Sequence, residues 1–247
     1  MNPPTSDKAD FVAELQGLRL TTSGLAEGAE FESLSCTLCE GDYRVVVGAA
    51  GSGKSRLIET LAGFALPGAG VVRLFGRDTA ALRGDDWVDL RRKMGLVFEE
   101  GSRLFPQMSV YENVALPLCY HQNQTFKEVE KPVRELLDLV GISQLRDRLP
   151  GRIGRNWRPR VGLARALATK PGFLLLDNPL VGLDHEQAAW WVGFLSSLAK
   201  GHAWFGGIPM TVLATAEDPV PWKESGCQFT FLRDGRWTQS EVVRQEL

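Results

Sequence analysis

The stretch that most restricts how this chain can fold is Tyr43-Arg44-Val45-Val46-Val47-Gly48-Ala49-Ala50-Gly51-Ser52-Gly53-Lys54-Ser55. It opens as an apolar, β-branched run, turns through glycines, and leads into RLIETLAGF, whose apolar spacing is helical. Gly48, four residues, then Gly53-Lys54-Ser55 is a P-loop pattern, here in the strand-to-helix setting that the pattern requires. Glycines let the backbone curl so that successive N–H groups point inward, and the following helix contributes the positive end of its dipole to a phosphate. Gly48, Gly51, Ser52 and Gly53 form the expected cradle, Lys54 would reach the β- and γ-phosphates, and the Ser55 hydroxyl would ligate Mg²⁺. A strand, such a loop and a helix in succession imply an α/β core that binds a nucleoside triphosphate.

Bulk properties exclude other classes. A net charge of −2 gives no electrostatic reason to expect a nucleic-acid partner. The longest uncharged stretch, residues 203–216, is broken by Gly206-Gly207 and Pro209 and cannot span a bilayer as a helix. The polar N-terminus reads as a disordered tail over residues 1–10, without a signal peptide, so the chain is expected to stay in the cytoplasm. Cys36 and Cys39 have a CxxC spacing, but they lie in an alternating, strand-like stretch without a second pair or a histidine cluster, and read as strand residues.

In chain order, residues 11–20 and 31–38 alternate as half-buried antiparallel strands, with a turn between them. After the P-loop helix, Leu66-Pro67-Gly68-Ala69-Gly70 breaks the chain, and residues 71–75 return as a strand ending at Gly76. Residues 86–94 read as a short basic helix and 95–98 as an apolar strand. Residues 99–118 show no long strand. Helical spacing runs from 125 to 140, where Pro132 predicts a kink or a later start and Gly141 a C-cap. A helix at 160–168, a buried strand at 172–177 ending in Asp177, and a helix at 186–200 carrying Trp190 and Trp191 as core residues follow. Strands at 210–214 and 228–232 and a hairpin turn at Asp234-Gly235 complete the pattern.

With GAAGSGKS, the strand GLVF, RVGLARALA before FLLLD, and NPLVGLD after it, the chain resembles the nucleotide-binding subunit of an ABC transporter over nearly its whole length. Within that family, the segment from Met94 to Leu118 looks most like the Mla/Mce group, which energises lipid transport across the bacterial envelope. The resemblance implies a RecA-like P-loop NTPase core (residues 11–98 and 159–247) with an antiparallel β edge layer. It also implies an α-helical subdomain, about 99–158, that contacts an integral membrane permease. A single ATP-binding domain over 11–247, ATP and Mg²⁺ as ligands, a second ABC subunit closing head to tail, and a peripheral place on the cytoplasmic face of the bacterial inner membrane are implied as well. The apolar loop residues Leu104, Phe105, Met108 and Val110 read as a docking surface for a membrane helix.

The departures from the family pattern are as informative as the matches. Where the family has a glutamate after its Walker B aspartate, Asp177 is followed by Asn178, and an amide can hold a water but cannot accept its proton. Asp177 can still hold the Mg²⁺ shell. The switch histidine falls at Glu217, or at Ala216 if the strand is one residue shorter. The Q-loop glutamine falls at Glu99, an oxygen ligand for Mg²⁺ that adds a charge. The signature serine and glycines align with Gly154, Arg155 and Asn156, in Ile153-Gly154-Arg155-Asn156-Trp157, with Asn156 as an expected N-cap and Pro159 in the first helical turn. Leu20 stands where the adenine-stacking aromatic is expected, while Val181-Gly182-Leu183-Asp184 keeps the D-loop form. The expected function is an ATP-binding transport subunit with slow or absent hydrolysis. The alternatives are a non-hydrolytic structural or regulatory subunit, or an active ATPase whose base has moved to Glu99, Glu100 or Glu217.

Overall fold

The computed structural model describes residues 11–21, 32–99 and 103–240. The expected N-terminal tail, most of the turn between the first two strands, and Glu100 lie outside the described residues. In chain order the elements are β1 (Phe11–Arg19), β2 (Leu34–Cys39), β3 (Tyr43–Gly48), α1 (Lys54–Leu61), β4 (Ala69–Leu74), β5 (Arg77–Asp78), α2 (Gly84–Arg92) and β6 (Met94–Val97). Then come α3 (Val110–Gln122), α4 (Glu130–Leu139), α5 (Arg158–Leu167), β7 (Phe173–Leu176), α6 (His185–Ala199), β8 (Thr211–Ala216), β9 (Gln228–Arg233) and β10 (Arg236–Ser240).

Two sheets form, in the orders β2-β1-β4-β5 and β10-β9-β3-β8-β7-β6. The first is antiparallel throughout, the expected edge layer, and the two-residue β5 extends it beyond what alternation alone signals. In the second, β9, β3, β8, β7 and β6 are parallel, and β10 folds back antiparallel on β9 through Asp234-Gly235.

The central sheet is apolar on both faces because both are covered, and successive side chains go to opposite cores. Val45 and Val47 face one core and Val46 the other; Leu174 and Leu176 oppose Phe173 and Leu175; Val212, Ala214 and Ala216 oppose Leu213. The first core takes in α3, α4, α5 and α6 through Val114, Leu136, Leu163 and Leu195. The second is closed by α1 and the antiparallel sheet, through Ile58, Leu15, Leu38 and Val72. In the buried inner strands β7 and β8, charged side chains begin only past the strand ends, at Asp177 and Glu217.

Sequence and structure differ in particular places. The segment at 99–124 holds a full helix, α3, whose periodicity is blurred by Pro117; its signal was the capping box, in which Ser109 Oγ accepts from Glu112 N and Glu112 accepts from Ser109 N. Pro132 marks a later start: α4 begins at Glu130, with Pro132 in its first turn, and Gly141 follows its C-cap with a positive φ. Asn156 is not an N-cap. Residues 155–157 wind a 3-10 turn that runs straight into α5, whose cap is Trp157 and whose first turn holds Pro159. Trp191 is a core residue as expected, but Trp190 is only partly buried. Cys36 and Cys39 both lie on β2, and a separation of three residues sends their side chains to opposite faces.

One buried polar side chain organises the loop before α3. Asn113, fully buried, accepts from Phe105 N at 2.8 Å, and its amide reaches the carbonyls of Phe105, Met108 and Ser109 at 2.9–3.1 Å. Asn113→Ala leaves those backbone groups without that partner and is expected to lower stability by about 1–3 kcal/mol. A denaturant titration with an unchanged midpoint would contradict this role.

Candidate functional site

The strand order assembles the site. β3, β8, β7 and β6 are neighbours and parallel, so their carboxyl ends lie side by side, where open α/β sheets bind ligands. Gly48 ends β3, Glu217 follows β8, Asp177 and Asn178 follow β7, and Glu99 lies two residues beyond β6. These residues, dispersed over most of the sequence, are thereby gathered at one sheet edge.

The loop between β3 and α1 has the geometry of an anion cradle. Gly51 and Gly53 hold φ of +70° and +97°, a region that favours glycine. A Cβ on Gly48 would come within 2.6 Å of Leu232 O and 2.7 Å of Ser52 Oγ, so only glycine fits there. The N-cap of α1 is Gly53, with no side-chain cap and no acid in the first turn, which leaves the first-turn amides and the helix dipole for an external anion. Lys54 is buried, and its Nζ donates to Gly48 O at 2.5 Å and Ala49 O at 2.6 Å, with Ser52 Oγ at 3.4 Å. Burial pushes the Lys54 ammonium below the ordinary lysine value, against the pull of Glu217, Asp177 and Glu99. Three carboxylates therefore act on the P-loop lysine.

Asp177 is buried, and its Oδ1 accepts from Ser55 Oγ at 3.1 Å and from Thr215 Oγ1 at 2.8 Å. Thr215 Oγ1 also accepts from the backbone N–H of Asn178 at 2.8 Å. That bond pins Asn178 in a left-handed conformation, φ +45°, buried at 9% exposure, with its Nδ2 directed at Glu99 Oε1 at 3.5 Å. Thr215 was missed from sequence, since a threonine in TVLAT reads only as strand propensity. The oxygen-only donors Ser55, Asp177 and Glu99 suit a hard divalent cation, and both hydroxyls on Asp177 meet Oδ1, leaving Oδ2 for a Mg²⁺ water shell.

At the switch position, Ala216 is the buried last residue of β8, and Glu217 is the residue whose charge acts on Lys54. Asn178 and Glu217 border one cavity of about 950 Å³, between α6 and the segment after β8. Leu20 is buried at 5% exposure in the second core, so its side chain is not offered to a base. Gly154 has an ordinary φ of −58° and Arg155 is exposed on the turn before α5. A Cβ on Gly154 would meet Asn156 Oδ1 at 2.7 Å, so the asparagine side chain occupies the space beside it. Below this turn, Arg160 is buried with its guanidinium 5.0 Å from the Trp157 ring and 3.6 Å from the Trp190 ring, and donates to Val140 O at 3.3 Å. After Asn178 the D-loop residues turn through Gly182, φ +68°, and Asp184 caps α6 by accepting from Gln187 N at 2.8 Å.

The ABC transporter family matches residues 31–181. The methionine import ATP-binding protein MetN of Cupriavidus metallidurans is 37% identical over 174 residues, 70% of this chain and 50% of that protein. A probable ribonucleotide transport ATP-binding protein, mkl, of Mycobacterium tuberculosis is 33% identical over 177 residues, 72% of this chain and 48% of that protein. The chain thus spans about half the length of the curated relatives it matches. Among solved structures, the ATP-binding cassette MJ0796, a dimer in a post-hydrolysis state bound to ADP and Pi, superposes with a TM-score of 0.79 at 26% identity. It covers 92% of this chain and 98% of that one. The fold is that of an ABC ATPase, and the chain belongs to the ABC transporter family.

Proposed function

We propose that this chain binds Mg·ATP through Gly48, Gly51, Ser52, Gly53, Lys54, Ser55 and Asp177 and hydrolyses it slowly or not at all. The observation that carries the reading is Asn178. The position beside Asp177 holds an asparagine whose backbone N–H bonds Thr215 and whose side-chain amide is directed at Glu99, and an amide cannot accept the proton of an attacking water. Loss of a positioned base lowers a rate by about 10²–10⁴-fold. Starting from a typical turnover near 10 s⁻¹, this leaves roughly 10⁻³–10⁻¹ s⁻¹.

Pairing does not relieve the deficit. If the chain pairs with itself, both composite sites combine Asn178 with the altered Gly154-Arg155-Asn156 turn. If it pairs with an intact ABC subunit, one site lacks the base and the other receives this chain's altered turn. The chain works, on this reading, as a peripheral subunit beneath a membrane permease, on the cytoplasmic face of a bacterial inner membrane. Residues 11–98 and 159–247 serve as the nucleotide-binding core, and about 99–158 as the helical subdomain that docks on the permease. Of the loop residues expected to dock, Val110 is fully buried in the core, while exposed Phe105 lines, with Tyr120, Leu116 and Pro117, a groove of about 400 Å³ that suits such docking. Envelope lipid is the substrate class favoured by the sequence from Met94 to Leu118; the named cargoes of the relatives, methionine and ribonucleotides, differ from it and from each other.

Three outcomes are expected. Lys54→Ala abolishes binding of a fluorescent ATP analogue, because the buried ammonium is the only lysine in the loop. Steady-state turnover of the chain with its membrane subunits stays below about 1 s⁻¹; tens per second would sink the slow-hydrolysis reading. Thr215→Val removes the hydroxyl that orients Asp177. It should reduce the gain in ATP affinity on adding Mg²⁺ by about 10-fold while leaving affinity in EDTA unchanged. Equal losses with and without Mg²⁺ would place Thr215 outside that role.

A further inference from the structure

The parallel register of β6 and β7 has a chemical consequence. Val97 pairs with Leu176, and Asp177 N donates to Val97 O at 2.8 Å, so the ladder continues one step past the strands. Glu99 is two residues beyond Val97 and Asn178 two beyond Leu176, which sets the two side chains opposite each other. The contact from Asn178 Nδ2 to Glu99 Oε1, 3.5 Å, is the result. At that spacing a carboxylate at both positions would place like charges together, whereas an amide opposite a carboxylate gives one donor and one acceptor.

From the sequence resemblance, the amide is expected on the strand now carrying Glu99 and the carboxylate on the strand now carrying Asn178. The two functional groups are exchanged here as a matched pair. We propose that Glu99 is the general base of the residual hydrolysis, with Asn178 orienting the water that Glu99 deprotonates. This rests on the nucleotide-site reading given above. In the step, the water oxygen forms a bond to the γ-phosphorus and its proton passes to the Glu99 carboxylate. The bond from the γ-phosphorus to the bridging oxygen breaks, its electron pair leaves with ADP, and Glu99 then gives the proton to the released phosphate or to solvent. Glu99 already acts electrostatically on Lys54, which places its charge at the phosphate end of the cradle. A contact of 3.5 Å is long for a hydrogen bond, and catalytic contacts commonly tighten only once the reacting complex forms.

The test uses the full chain in excess over ATP, in single-turnover quench, with Mg·ATP affinity measured in parallel. Glu99→Gln, compared with wild type at saturating Mg·ATP, should slow hydrolysis by about 10²-fold and shift the nucleotide recovered from the protein from ADP to ATP. The double variant E99Q/N178E, which returns the carboxylate to the other strand, should regain at least about tenfold over E99Q. A wild-type rate in E99Q overturns the proposal, as does a loss that vanishes on raising Mg²⁺, which would make Glu99 a metal ligand only. Wild-type chain that binds Mg·ATP but yields no ADP also overturns it and leaves the binding reading intact. A chain that fails to bind Mg·ATP overturns the nucleotide-site reading itself.

Discussion

Asp177 Oδ1 is the atom on which the arrangement of the site depends. A carboxylate this buried is costly unless hydrogen-bonded, and its two hydroxyl donors come from different elements, Ser55 on the first turn of α1 and Thr215 on β8. The same oxygen therefore fixes the P-loop helix against two strands of the sheet. Thr215 extends the chain of bonds to the Asn178 backbone, and the ladder from Asp177 N to Val97 O extends it to the end of β6. The loop between β3 and α1, Asp177, Asn178 and the end of β6 are held in one frame. A change at any of these bonds would propagate along the sheet edge rather than remain local.

Much of this fold is legible in the sequence, because its signals are local. The VVV run, the glycine spacing and the apolar FLLL before Asp177 each identify their element without reference to the rest. The antiparallel layer follows from alternation, although a two-residue strand such as β5 leaves no period to read. Other elements were hidden for physical reasons. α3 carries Pro117 and apolar residues on several sides, so its helical period is weak and only the Ser109–Glu112 box marks its start. Asn156 has the chemistry of a cap, yet the chain enters α5 through a 3-10 turn, and that geometry moves the cap to Trp157.

The site itself divides in the same way. The cradle and Asp177 are readable as motifs. The contact between Glu99 and Asn178 is not, because it depends on β6 lying next to β7 across a sequence separation of 79 residues. Thr215 escaped for a similar reason: its partners, Asp177 and Asn178, follow β7, and its neighbours in sequence are ordinary strand residues. Nor does the shared fold fix the cargo, since relatives over the same region carry different transport names, and transported substrate is decided by surfaces and partners rather than by the core.

Arg160 adds a mechanical dimension. Its guanidinium lies between the rings of Trp157 and Trp190, reaches the carbonyl that ends α4, and stands on a base extended by the stacking of Trp190 on Phe194. Each desolvated cation–ring contact is worth about 2 kcal/mol, so separating these surfaces is expensive. The guanidinium acts as a rivet through three plates: the end of α4, the turn that leads into α5, and α6. A tilt imposed on α4 from outside must carry the exposed Arg155 turn and the D-loop end of α6 with it, as a lever moves both ends about one pin. Force applied at α4 would thus arrive at both of these segments together.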